Sequence, residues 1–151
     1  MTDSEWIKTM ADFNDHSFKR ALAVGKGAQW VETVTQQAES TGYKVESFES
    51  GEEALRKIAA HQYEMVIVDE KVIMEDKRIL PYLVTIPMEI RRNTLYLISG
   101  AKYKTMHART AFSLGVDSVI NHKDLSRLAI CLQALEAEHT HLYREFLTLV
   151  D

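Results

Sequence analysis

Apolar positions along the chain keep two alternating rhythms. Short continuous runs, ALAV (21–24), EMVIVD (64–69) and LYLIS (95–99), read as strands buried on both faces. YKVESF (43–48) alternates as a strand near a sheet edge does, and VDSVIN (116–121) is a fifth strand candidate. Between them the spacing turns helical. Residues 28–40 turn Trp30 or Val31, Val34 and Ala38 inward and end before Gly42. Residues 52–62 set Ala54, Leu55 and Ile58 on one face after Ser50-Gly51. HARTAFSLG (107–115) stops at a glycine, a frequent residue just past a helix end.

Three stretches lie outside this alternation. DSEWIKTMADFN (3–14) spaces Trp6, Met10 and Phe13 as a short amphipathic helix does, with Asp3 or Ser4 as its cap. KVIMEDKRIL (71–80) has no clean period, and its first half reads as a loop. Helical spacing resumes at Leu80, Leu83 and Ile86, constrained by Pro81 and Pro87. Asp124 to Val150 reads as one long helix.

Strands alternating with helices predict an α/β fold with a mostly parallel sheet covered on both faces and right-handed crossovers. Such sheets place their chemistry at the carboxyl ends of the strands. Those ends carry Gly25-Lys26-Gly27, Phe48-Glu49, Asp69-Glu70, Ser99-Gly100 and Asn121-His122-Lys123.

The totals narrow this further. The 151 residues fit one domain, and 18 Lys and Arg against 22 Asp and Glu leave a formal charge of -4. That balance argues against a dedicated nucleic-acid binder. Cys131 is the single cysteine, which excludes an intrachain disulfide and an all-cysteine metal site, and its apolar stripe makes it a small buried hydrophobe. No run approaches a membrane span, and MTDSEW lacks the pattern of a signal peptide, so a cytoplasmic location is the simplest reading. Gly25-Lys26-Gly27 is a poor phosphate loop: ALAV precedes it and Ala28 stands where a hydroxyl residue is needed. His16, His61, His107, His122, His139 and His141 form no ligand pattern. Ser99 lacks the surroundings of a hydrolase nucleophile.

GYKVESFESGEEALRKIAAHQYEMVIVDE (42–70) resembles the second strand, second helix and third strand of bacterial response-regulator receiver domains. NTLYLISGA resembles the fourth strand of that family, and AFSLGVDSVINHKDL its fifth strand and the approach to the last helix. The resemblance covers roughly residues 20–137. It implies a three-layer, doubly wound, flavodoxin-like sheet of five parallel strands in the order 2-1-3-4-5. It also divides the chain into an N-terminal helical extension (1–17), a receiver-like domain (18–138) and an extension of the last helix (139–151).

By this resemblance Asp69 falls at the phosphoaccepting aspartate and Ser99 at the hydroxyl residue of the fourth strand. Receivers hold a divalent ion with that aspartate and an acidic pair after the first strand. Here the pair falls on Gly25 and Lys26. The lysine expected after the fifth strand falls on His122, with Lys123 one residue late, and the aromatic position falls on Val119. EKVIMEDKR replaces the usual loop after the phosphoacceptor. Mg²⁺ needs a near-octahedral set of oxygens, and an ammonium in place of two carboxylates reverses the local field. The expectation is therefore a degenerate receiver without metal or cofactor, in which Lys26 reaches Asp69 and stands in for the ion's charge. Glu70 is the one further acid that could serve an unusual metal site.

Leu125, Leu128, Leu132, Leu135, His139, Leu142, Phe146 and Leu149 form a seam along the last helix, which would reach roughly 40 Å. A receiver-sized sheet covers only its first half. Leu142, Tyr143, Phe146 and Leu149 then need a cover: the N-terminal helix, a second copy of the chain, or another protein. The sequence thus reads as a phosphorylation-independent signalling or scaffold module acting through protein contacts, with no enzymatic activity and no DNA-binding output. One alternative is a working response regulator phosphorylated on Asp69 by a histidine kinase. The other is a small α/β enzyme of unrelated chemistry.

Overall fold

The computed structural model describes residues 18–138. Five parallel strands, β1 (Lys19–Val24), β2 (Tyr43–Phe48), β3 (Met65–Asp69), β4 (Leu95–Gly100) and β5 (Ser118–Asn121), form one sheet in the order β2-β1-β3-β4-β5. Helices α1 (Ala28–Glu39), α2 (Gly51–Ala60), α3 (Glu70–Glu75), α4 (Ile79–Val84), α5 (Met88–Arg91) and α6 (Ala108–Leu114) connect them. A 3₁₀ turn over His122–Arg127 leads into a last helix, α7, described over 128–138. This is the doubly wound five-stranded architecture expected from the sequence.

The continuous apolar runs are explained by two-sided burial. Ala21 and Ala23 of β1 join Val34 and Ala38 of α1 and Leu128, Leu132 and Leu135 of α7 in one core layer. Leu22 and Val24 point the other way, into a layer with Ala54 of α2, Val72 of α3, Ile79 and Leu83 of α4, and Ala111 of α6. Period-two alternation sends successive residues to opposite faces, and both faces here are apolar. At the edge, β2 buries Tyr43 but leaves much of the strand only partly covered.

Two segments depart from expectation, one directly after Asp69 and one at Asp124. The stretch read as a loop after Asp69 is helical over Glu70–Glu75, because the Asp69 carboxylate caps its first turn and Val72 is buried beneath it. The helical spacing near Leu80 resolves into α4, with Pro81 in its first turn, and a four-residue α5 behind Pro87. Asp124 begins no α-helix; it lies in the 3₁₀ turn that precedes α7. As expected, α6 ends at Gly115, whose φ of 75° is the left-handed value that glycine reaches without strain. Cys131 is a free, buried thiol, raised in pKa chiefly by burial. The expected N-terminal helix, His16, His139, His141 and the tail residues Leu142, Tyr143, Phe146 and Leu149 lie outside the described residues.

Candidate functional site

Parallel order brings the ends of β1, β3, β4 and β5 together, and the site forms there. Asp69, the last residue of β3, is 3% exposed and sits beside Ser99 of β4 in the strand register. The Ser99 hydroxyl donates to Asp69 Oδ1 over 2.9 Å. His122, the first residue after β5, places Nε2 2.5 Å from the same oxygen. An ionised carboxylate only accepts, so this bond puts a proton on Nε2, as both the Nε2-H neutral form and the charged form of histidine have. Asp69 Oδ2 accepts from the backbone N–H of Lys71 at 3.4 Å, the contact that caps α3. Both carboxylate oxygens therefore have protein partners.

Trp30, in the first turn of α1, closes one side. Its indole Nε1 donates to Ser99 Oγ over 3.0 Å, extending the chain Trp30–Ser99–Asp69. The ring also lies over Gly25: a Cβ built there would meet ring carbons at 2.6 Å. Glycine at this position makes room for the indole. Sequence reading offered Trp30 or Val31 as an inward-facing core residue and missed this role. Its nearness to Gly25 in the chain was the available signal.

The charged neighbours are arranged differently from expectation. Lys26 does not stand in for an ion at Asp69; its Nζ is 2.7 Å from Glu75, on α3, with both groups about half exposed. The reason is the helix after Asp69, which carries Glu75 to Lys26. His122 is instead the basic side chain that contacts Asp69. Glu70 turns away to accept from the Ala101 N–H at 3.0 Å, with Lys102 at 3.8 Å. Lys123 donates its backbone N–H to the Asn121 side chain. Asn121 Nδ2 donates in turn to the carbonyls of Ala101 and Tyr103, fixing the loop after β4. Nearby, the Tyr103 phenol is raised in pKa by burial, with smaller contributions from the charges of Glu70 and Asp69. Val119 is fully buried in β5.

These residues do not fit a divalent ion. The Gly25 position is filled by the indole, Lys26 brings an ammonium, and Glu70 is engaged elsewhere. Among the described residues no group of three His, Cys, Asp or Glu side chains is placed to hold a metal. A serine hydrolase arrangement is disfavoured by the same hydrogen bonds, since the Ser99 hydroxyl donates to Asp69 and His122 contacts Asp69 too. Among the described residues no helix is long and apolar enough to cross a membrane.

Strand order and the helices on both faces together define a doubly wound fold of the receiver type. No family model matches the chain, and no curated protein matches it. Solved structures do match. HP1043, an orphan response regulator of H. pylori, superposes with a TM-score of 0.60 at 20% identity, covering 79% of this chain and 97% of its own. The signal receiver domain of a putative LuxO repressor protein from Vibrio parahaemolyticus gives 0.64 at 17%, covering 89% and 98%. A response regulator from Burkholderia pseudomallei, solved with a phosphorylated aspartic acid, calcium ion and citrate, gives 0.60 at 19%, covering 84% and 72%. The chain has the receiver-domain fold of bacterial response regulators.

Proposed function

We propose that this chain is a receiver-like signalling or scaffold module that works through protein contacts without phosphorylation of Asp69. The observation that carries the reading is the engagement of the Asp69 carboxylate: His122 and Ser99 hold one oxygen and the start of α3 holds the other. Phosphoryl transfer to an aspartate needs a free carboxylate oxygen and positive charge that is fixed around the incoming group. Here one oxygen is taken by the His122 ring and the Ser99 hydroxyl and the other by the Lys71 N–H, and the residues after β1 supply no ion ligands.

The second reading is a working response regulator. It is favoured by the likeness to solved response regulators, one of them carrying a phosphorylated aspartic acid, and by Asp69 and Ser99 lying side by side at their strand ends. One experiment separates the two. The protein is incubated with acetyl phosphate, with and without Mg²⁺, and its intact mass is compared with that of Asp69→Asn. Unchanged mass in both conditions is the expected result. A Mg²⁺-dependent phosphate adduct that Asp69→Asn abolishes selects the second reading.

A further inference from the structure

The cleft above Asp69 has a charge suited to an anion. It measures about 370 Å³ and is walled by Lys26, Trp30, Lys71, His122 and Lys123, with Asp69 among its lining residues. Three lysines thus surround one carboxylate, and that carboxylate is 3% exposed beneath its partners. Lys26 shares its charge with Glu75. Among the described residues no carboxylate lies within ion-pair distance of Lys71 or Lys123.

Both lysines are rooted by the site itself. The Lys71 N–H is bonded to Asp69 and the Lys123 N–H to Asn121, so their backbones are held just past the ends of β3 and β5, the two strands that flank β4. Trp30 is pinned by its bond to Ser99 and gives the cleft a flat aromatic wall. Lysine ammonium groups suit phosphate oxygens as point charges, and a half-enclosed cleft focuses their field. The volume exceeds what an inorganic phosphate fills, and the indole gives a second group something to pack on.

We infer that this cleft reversibly binds a small phosphate monoester, its phosphate held by Lys71 and Lys123 and its organic part against Trp30. The inference rests on the reading of Asp69 as unphosphorylated, since a covalent phosphoryl group would take the same space. Binding adds no bond to the protein and leaves its mass unchanged.

The test uses the full chain carrying Trp6→Phe, which leaves Trp30 as its only tryptophan. AMP, inorganic phosphate and adenosine are each titrated at low salt, followed by tryptophan fluorescence and calorimetry. Saturable binding of AMP that weakens as salt rises is expected, with weaker binding of phosphate and none of adenosine. Lys71→Gln with Lys123→Gln should reduce AMP affinity by about tenfold or more. Lys102→Gln, on the Glu70 side outside the cleft, should leave it unchanged. Absence of saturable AMP binding overturns the inference. So does equal binding of adenosine, equal binding of phosphate, or an equal loss in Lys102→Gln. An acetyl phosphate adduct in the intact-mass experiment would instead overturn the unphosphorylated reading, and the two failures are read by different instruments.

Discussion

Gly25 shows how one missing side chain reshapes a site. A Cβ at this position would lie 2.6 Å from the Trp30 ring, so any larger residue must push the indole away from Ser99. Gly25→Asp, which places an acid after β1, is therefore expected to destabilise the fold by about 1–3 kcal/mol through overpacking. Urea unfolding measures this. Adding Trp30→Ala should make the double variant more stable than the sum of the two single losses, because the clash and the indole disappear together. A Gly25→Asp protein as stable as the parent would contradict the packing described. At Asp69 the conservative replacement matters for a related reason. Asparagine keeps an oxygen to cap α3, whereas alanine would confound loss of the site with loss of the cap.

At the scale of the element, helix caps decide where the connecting segments begin. Ser50 accepts from the Glu53 N–H over 3.1 Å at the start of α2, and Glu52 and Glu53 complement the helix dipole there. Ser50→Ala should cost about 1 kcal/mol, within the usual range for an N-cap, and thermal or urea unfolding would show it. No change in midpoint would mean that α2 is held by packing alone. The cap of α3 has a different consequence, because Asp69 serves the helix and the site at once. The short helix it starts also carries Glu75 to Lys26. A helix read as a loop in the sequence is thus what redirects the expected Lys26–Asp69 pair.

Across the whole molecule, the last helix is tied back to the sheet by a polar cluster at the end opposite the site. The Tyr43 hydroxyl of β2 donates to Glu136 of α7 over 2.5 Å, and Lys19 of β1 reaches the same oxygen at 2.9 Å. Burial, and then the bond and charge of Glu136, push the Tyr43 phenol well above its ordinary value. Tyr63, raised to about 12 by burial and by Glu46, behaves in the same sense. A folded-state pKa above the unfolded one means the contribution is fully present below pH about 10. It is lost as pH rises past that value towards the folded pKa, which for Tyr63 is about 12. Ultraviolet titration of the native protein should accordingly leave both phenols protonated where exposed tyrosines ionise. Glu136→Gln should lower the Tyr43 value without returning it to normal, since burial is the larger cause. Ordinary titration of every tyrosine would rule out the Tyr43–Glu136 bond.

The strands, their two-sided burial and the helices with an apolar stripe were legible in the sequence because period-two and period-3.6 patterns report local geometry. The α/β class follows from their order, and the same order puts Asp69, Ser99 and His122 at strand ends. Which of them touch was decided by tertiary structure alone. Strand order sets Asp69 beside Ser99 and brings His122 to their shared oxygen. The turn before α1 lays Trp30 over Gly25, and the cap on α3 sends Lys26 to Glu75. Hydrogen bonds between residues 30 to 69 positions apart leave no periodic trace along the chain. They depend on where the sheet places its ends, and only the folded chain determines that.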